Sequence, residues 1–383
     1  MRSLARKRKI ATSSKPASTR QRRRLHHSGN ANKSRLVRNK GGRGLAASDN
    51  KSSGLPSEMA WRLGRKAAQD DPLAEGADAQ QHVQEQWLRN SGLIRKTTAA
   101  GKQQAAMKAF LEGYFSVRRG ESTPNWVLLP THKKVAAVVM AMNEEQSIMS
   151  TIRELERLPL HEIIVVVNGS TDSSLMMART SGKAVVLHYN EALGHDVGRA
   201  IGAKITNSDI VLFLDADIPI SAEQLVPFVL AASRGVDVVL NDLSRHVGMF
   251  TDWDEVTIMK YFLNRSNNRD DLSVNSMTAI PHALTRKAIE IIGSANLAVP
   301  PKAQAIALQR GLRVGFGGSV NVFKRNRHRK DNVGMSNPIS KLIMGDHLEA
   351  LGWAMDEISP RLKYIDSRRD RVTGANKHNH PYL

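Results

Sequence analysis

Asp215 and Asp217 stand one residue apart, after the apolar run Ile210 to Leu214. A short apolar run bounded by polar residues suits a buried strand. At a strand end the side chains at i and i+2 point the same way, so both carboxylates can face one point. Paired hard oxygens at the carboxyl edge of a parallel sheet suit Mg²⁺ or Mn²⁺, a cation that also holds a diphosphate. An acidic loop capping the next helix uses the same residues. The choice turns on what else the chain brings to that edge.

Three further stretches bear on it. Met142-Asn143-Glu144-Glu145 follows the apolar run Val135 to Met140. Asn143 can cap a helix there, and Glu144 and Glu145 suit its positive N-terminal end. The functional reading is a loop bordering the base or ribose of a nucleotide. Asn168-Gly169-Ser170-Thr171-Asp172 follows the run Ile163 to Val167. Gly169 permits a tight turn and Ser170, Thr171 or Asp172 can cap the next helix. Asn168 and Asp172 are also candidate partners of a nucleoside. In Gly194-His195-Asp196-Val197-Gly198-Arg199-Ala200-Ile201-Gly202 the glycines fall at i, i+4 and i+8. That spacing bares one helix face for close approach, and Arg199 could reach a phosphate. It is neither the dinucleotide fingerprint nor a Gly-Lys-Ser/Thr phosphate loop.

Strands and helices alternate around these motifs. The spacing predicts strands over 135–140, 163–167, 184–187, 210–214 and 236–240. Helices are expected over 144–158, 172–181, 194–206 and 222–232. Such alternation with short connections predicts a mostly parallel sheet sandwiched by helices. Ligands of such sheets sit at the carboxyl ends of the strands, where all these motifs lie. Beyond residue 240 the pattern loosens. A helix is expected within 281–293 and another from Pro300 to near Gly311. Strands are expected over 312–316 and 320–323, and an amphipathic helix over 339–358.

The chain has 383 residues and a formal charge of +20, unevenly placed. Residues 1–45 hold 15 Lys or Arg and no acid, so the rest is only mildly basic. Residues 1–54 read as a disordered basic tail able to touch an anionic membrane or polymer by charge. Residues 55–130 read as a helical arm, with Met107, Phe110, Leu111 and Tyr114 on one helical face. Residues 131–335 form the main domain, and 336–383 a C-terminal helix and basic tail. No cysteine is present, which excludes disulfides, thiolate metal sites and cysteine nucleophiles. No apolar run is long enough to span a bilayer, and the N-terminus lacks the apolar core of a secretory signal. The expected location is cytoplasmic, peripheral at the inner membrane face if the tail engages lipid.

The order strand–Asn-Glu-Glu, strand–Asn-Gly-Ser-Thr-Asp, Gly/Arg helix, strand–Asp-Ala-Asp resembles the family 2 glycosyltransferases, over about residues 133–325. The resemblance implies the glycosyltransferase A fold, a nucleotide-diphospho-sugar donor and a divalent metal. It places Asn143, Glu145, Asn168, Ser170, Asp172, Arg199 and Asp215 at the donor. Asp217 becomes a metal ligand, with Asp215 and Asp217 both in the catalytic machinery. Where the family usually carries an acidic pair before Gly-Ser-Thr-Asp, this chain has Val167-Asn168. Ala200 stands where Asn is usual in Arg-Asn-x-Gly. Inverting members usually place Glu-Asp before a later helix, with Asp as general base. Here that helix opens Val299-Pro300-Pro301-Lys302-Ala303-Gln304. Asp254 is the base candidate taken forward, with Asp252 and Glu255 beside it. Retention of configuration, needing no such base, is the other course. A further metal ligand is expected from His328 or His347, with His328 preferred because the surrounding cations also suit a diphosphate.

The expected function is metal-dependent sugar transfer from a nucleotide-diphospho-sugar to an unknown saccharide, lipid or small-molecule acceptor. Two rivals differ in class. A sugar nucleotidyltransferase would normally show a Gly-rich, Arg-containing loop after the first strand, which Asn143-Glu144-Glu145 does not resemble. A non-catalytic basic scaffold with a degenerate transferase domain would bind no nucleotide with Mn²⁺.

Overall fold

The computed structural model describes residues 55–97, 102–118, 122–323 and 338–364. Its centre is a seven-stranded sheet in the order β3-β2-β1-β4-β6-β5-β7. The strands are β1 (Val135–Ala141), β2 (Glu162–Asn168), β3 (Ala184–Tyr189), β4 (Ile210–Asp215), β5 (Val238–Asn241), β6 (His282–Thr285) and β7 (Val314–Gly318). All neighbours are parallel except β6, which runs antiparallel to β4 and β5. This is the mostly parallel, helix-sandwiched sheet that the sequence led us to expect.

Both faces of the sheet are covered, which is why the strands read as unbroken apolar runs. Val139, Val165 and Leu212 face the layer formed by α4 (Ile148–Glu156) and α7 (Ala222–Ser233), through Ile152, Leu155 and Phe228. Val138, Val166 and Phe213 face the other layer. That layer holds α6 (Val197–Ile205), α9 (Arg286–Ile292) and α10 (Pro300–Gln309). The short α5 (Ser174–Ala178) closes the β2–β3 crossover.

The glycine stripe has a packing cause. A Cβ on Gly202 would lie 2.3 Å from a Val138 methyl, and one on Gly198 2.9 Å from Met140 Cγ. Only bare backbone lets α6 lie this close to β1. The same device joins α1 (Leu55–Asp70) to α3 (Gln103–Phe115), where Gly64 meets the Phe110 carbonyl and Gly113 meets Trp61. With α2 (Ala79–Thr97) these helices share a core of Trp87, Phe110, Tyr114 and Phe115. The face expected of Met107, Phe110, Leu111 and Tyr114 is buried as a set. Helix α2 is tied to the sheet side by Gln84, whose amide donates to Leu129 O (2.8 Å) and accepts from Leu129 N (2.9 Å).

Several elements differ from expectation. The helix expected over 144–158 begins only at Ile148, because residues 143–145 are bonded into the loop after β2. Strand β6 lies where a helix alone was expected, and the helix α9 follows it directly. Residues 320–323 form no strand. Asn241 stands in for a partner strand there, accepting from Val320 N (2.8 Å) and donating to Val320 O (2.9 Å). The remaining helices are α8 (Glu255–Ser266) and α11 (Pro338–Glu357).

Candidate active site

Parallel register brings the loops after β1 to β4 to one edge. Met140 pairs with Asp215, Ala141 with Val167, and Asn168 with Tyr189. The first three loops are laced together by the polar residues that the sequence singled out. Ser170 Oγ accepts from Asn143 N (3.0 Å), and Asn143 Oδ1 accepts from Thr171 N (2.8 Å). Asp172 accepts from Glu145 N (3.1 Å) and Ser174 N (2.9 Å), and Glu145 accepts from Ser173 N (3.1 Å). These bonds hold the Asp172 carboxyl below its ordinary range despite partial burial. Asn168 accepts from Leu193 N (2.8 Å) and donates to Gly194 O (2.8 Å), so it ties β2 to the approach of α6.

Asn143 therefore does not cap α4. It sits at φ 59°, in the left-handed region that Asn tolerates, and reaches across to the next loop. The five residues Asn143, Glu145, Asn168, Ser170 and Asp172 come together, and their side chains build the rim.

Asp215 and Asp217 lie at the end of β4, both partly exposed. Arg199 enters from α6, which the glycine stripe seats against β1. Its side chain is 3% exposed, and Nη1 donates to Met277 O at 2.8 Å. Nε lies 3.1 Å from Asp196 Oδ1, and Nη2 lies 3.8 Å from Asp215 Oδ1. Burial pushes the Asp215 carboxyl up to about 6, Arg199 opposes the rise, and Asp217 and Asp196 add to it. The backbone that receives Arg199 is itself fixed from α10. Gln304 Oε1 accepts from Met277 N (2.8 Å), and Gln304 Nε2 donates to Asn264 Oδ1 (2.6 Å). So the helix start that lacks Glu-Asp supplies a buried amide instead.

Sequence reasoning named His347 in the second half of this charge cluster but missed Lys260 and Asp346. Lys260 projects from α8 within electrostatic reach of Arg199, Asp254 and His347, and burial lowers it to about 8. Among the described residues it has no hydrogen bond or ion pair. Asp346, on α11, is raised to about 6 by burial and by Asp196 and Glu349. His347 beside it is buried and lowered to about 4, with Nδ1 2.7 Å from Ile343 O. His282 on β6 stacks on Phe213 at 5.0 Å and is lowered well below its ordinary range by burial and Arg199. The available signal for Lys260 was helical periodicity. It falls on the same face of α8 as Val256, Leu263 and Asn264, which are buried.

Asp254 lies at the start of α8, exposed, where its carboxylate accepts from Thr257 N at 2.7 Å and caps the helix. His328 lies outside the described residues. Among the described residues no three His, Cys, Asp or Glu side chains group as a ready-made metal cage. Asp215 and Asp217 are nonetheless the donors a hard cation takes when it keeps waters and substrate phosphate oxygens as its other ligands.

The family model for glycosyl transferase family 2 matches residues 136–291, from β1 through α9. The chain carries a family 2 glycosyltransferase domain. Within the curated relatives, the undecaprenyl-phosphate 4-deoxy-4-formamido-L-arabinose transferase of Klebsiella pneumoniae is 28% identical over 120 residues. That match covers 29% of this chain and 37% of the relative. The Salmonella paratyphi B enzyme of the same name is 31% identical over 117 residues, 28% of this chain and 36% of its own length. The chain thus spans little more than a third of the relatives it matches. Among solved structures, glucosyl-3-phosphoglycerate synthase from Mycobacterium tuberculosis with UDP is 20% identical, with a TM-score of 0.44. The match covers 58% of this chain and 81% of that one. No helix of the described residues is long and apolar enough to cross a membrane.

Proposed function

We propose that this family 2 domain transfers a sugar from a nucleotide-diphospho-sugar to an acceptor bearing a phosphate, with a divalent cation at Asp217. The observation that carries the reading is the end of β4, where Asp215 and Asp217 lie beside an Arg199 anchored on three sides. When bound, Mg²⁺ or Mn²⁺ supplies charge neutralisation for the departing nucleoside diphosphate. Asp217 holds that cation. Asp215, kept in place by Arg199, orients the donor. Asn143, Glu145, Asn168, Ser170 and Asp172 form the rim for the nucleoside.

The acceptor class follows from the other side of the site. A hydroxyl acceptor needs a base to take its proton as it attacks. A phosphate oxygen is already anionic near pH 7 and needs none. The start of α10 carries Val299, Pro300, Pro301 and Lys302, and Gln304 is used up in the scaffold. Asp254 is occupied in capping α8. Lys260 is a half-buried cation with Asp254 in electrostatic reach but no ion pair among the described residues, suited to hold an acceptor phosphate. In the balanced step, a phosphate oxygen bonds to the anomeric carbon. The bond from that carbon to the donor diphosphate breaks, and the electron pair leaves with the nucleoside diphosphate. The relatives' names, which pair a sugar with undecaprenyl phosphate, support a lipid phosphate over a free one.

The test joins binding to turnover. Nucleotide-sugars with Mn²⁺ should raise the thermal midpoint of the full chain by mass action, and a polyprenyl phosphate should then accept the sugar. In Asp217→Ala, transfer should fall by about 10³-fold and the Mn²⁺-dependent shift should vanish. Equal activity in that variant sinks the reading. No shift with any nucleotide-sugar and Mn²⁺, from folded protein, would favour the scaffold reading instead, and donor binding without transfer to any phosphate acceptor would overturn the acceptor class.

A further inference from the structure

The outer face of α8 and the loop before it is apolar and uncovered. Met249 is 72% exposed and Phe250 61%, at the tip of the loop that ends at Asp254. Phe250 contacts Trp253 (ring centroids 5.1 Å), and Trp253 contacts Tyr261 of α8 (5.4 Å). Ile258 and Phe262, 39% and 43% exposed, continue the face one helical turn apart. The patch is therefore continuous from the loop tip along the helix. Single exposed apolar residues are ordinary, but a continuous patch of large ones marks an interaction site.

Helical geometry sets this patch against the site. Ile258 and Phe262 lie about 160–200° around the helix from Lys260. One helix, about 10 Å across, thus separates the exposed face from the unpartnered cation.

We propose that the face formed by Met249, Phe250, Trp253, Ile258, Tyr261 and Phe262 docks on an anionic lipid bilayer. The proposal rests on the lipid-phosphate reading for its purpose: it brings the Lys260 side of the site to headgroup level. Aromatic and apolar side chains with polar ends settle at the membrane interface, where apolar area is buried and polar tips stay wet. The patch itself is close to neutral, since Arg245 and Arg265 flank it alongside Asp252, Asp254 and Glu255. Attraction to anionic lipid comes from residues 1–45, with 15 basic and no acidic side chains. Charge complementarity brings the chain to the surface, and the patch fixes its orientation there. Two weak signals of this kind act together where one gives only reversible contact.

The chain has no cysteine, so a single introduced thiol takes a single label. Phe250→Cys carrying an environment-sensitive dye is mixed, in the full chain, with vesicles of phosphatidylcholine alone or with phosphatidylglycerol. The dye should shift to the blue with the mixed vesicles, while a dye on Arg234→Cys, exposed at the far end of α7, should not. In the unlabelled chain, Met249→Ser/Phe250→Ser should lower partition to the mixed vesicles by about 10-fold or more. Both side chains are exposed, so the thermal midpoint should hold. No vesicle binding by the wild type overturns the proposal. So does binding with no shift at position 250, which would mean that the tail acts alone. A double variant that turns a dimer into a monomer and partitions as before would reveal a face between copies of the chain, and would also overturn it. Donor and cation are absent from this assay. Loss of transfer in Asp217→Ala with vesicle binding intact therefore separates the catalytic reading from this one.

Discussion

Between β1 and β4 every strand is parallel to its neighbour, and the first three loops are bonded to one another through side chains. From β5 onward the sheet reverses at β6, and its site residues come from α8, α10 and α11, elements far apart in the chain. The first half fixes its rim with hydrogen bonds from backbone amides to Asn143, Ser170 and Asp172. The second half holds desolvated charge, with Lys260, Asp346 and His347 all shifted from their ordinary values. A rim whose side chains are already satisfied by backbone amides suits a constant ligand moiety recognised by shape. A charge cluster suits an ionic ligand whose arrival completes it. Arg199 belongs to both halves, since α6 carries it and Met277 O receives it.

That double role gives the largest expected effect on stability. Arg199→Leu would leave Asp196 and Asp215 without their buried partner and Met277 O without its donor. Breaking a buried ion pair by removing one member costs about 3–5 kcal/mol. Urea unfolding should show that loss, and Arg199→Lys should recover only part of it, because a single ammonium cannot span three acceptors. A loss below about 1 kcal/mol would mean that the two halves are held together elsewhere.

Lys260→Met sharpens the contrast further. If the second half binds an acceptor phosphate, KM for the acceptor should rise about 100-fold, as expected for a charge-assisted hydrogen bond of about 2–3 kcal/mol. The donor-dependent thermal shift should stay as in the wild type. An effect on donor binding of the same size would place Lys260 on the nucleotide side.

Gly202→Ala tests the first half. Its Cβ would meet the Val138 methyls at 2.3 and 2.7 Å, so α6 must lift from β1. Overpacking of this kind costs about 1–3 kcal/mol, and here it should also lower transfer by displacing Arg199. An unchanged unfolding curve would show that α6 has slack that the structure does not suggest.

These residues also mark how far the sequence could be read. The strands and the carboxyl-edge motifs were legible, because β1, β2 and β4 are buried on both faces and their loops obey local turn chemistry. The glycine stripe was read as a close-approach face, which it is. Strand β6 was not legible. His282-Ala283-Leu284-Thr285 is a strand only because β4 and β5 flank it, and such pairing has no local signature. The cross-loop bond of Asn143 was not legible for a related reason: its partner, Thr171 N, lies beyond the next strand. The charge cluster was hidden because Lys260 and His347 meet only once α8 docks on α11, through Leu263, Ala350 and Leu351. Asp254 was read as a base candidate, and its role as the cap of α8, accepting from Thr257 N, emerged only with the structure.

The smallest expected effect is on stability against pH, measured without added cation, and there two signs oppose. His347 is lowered from 6.5 to about 4 by burial. The unfolded chain therefore binds more protons between those values, and this contribution is full above pH 6.5 and lost as pH falls towards 4. Asp215 and Asp346 are raised from 3.8 to about 6. There the folded chain binds more protons, so their contribution is full below pH 3.8 and lost as pH rises through 6. In the shared window the two raised carboxylates oppose two lowered imidazoles, since burial also holds His282 well below its ordinary range, and the wild-type profile should be nearly flat between pH 4 and 6. His347→Met should leave one carboxylate unopposed, so that stability falls as pH rises across the window. Asp346→Asn should tilt the profile the other way. Urea midpoints at three or four pH values decide it, and parallel profiles in all three proteins would mean that neither group is desolvated as the packing of α11 on α8 requires.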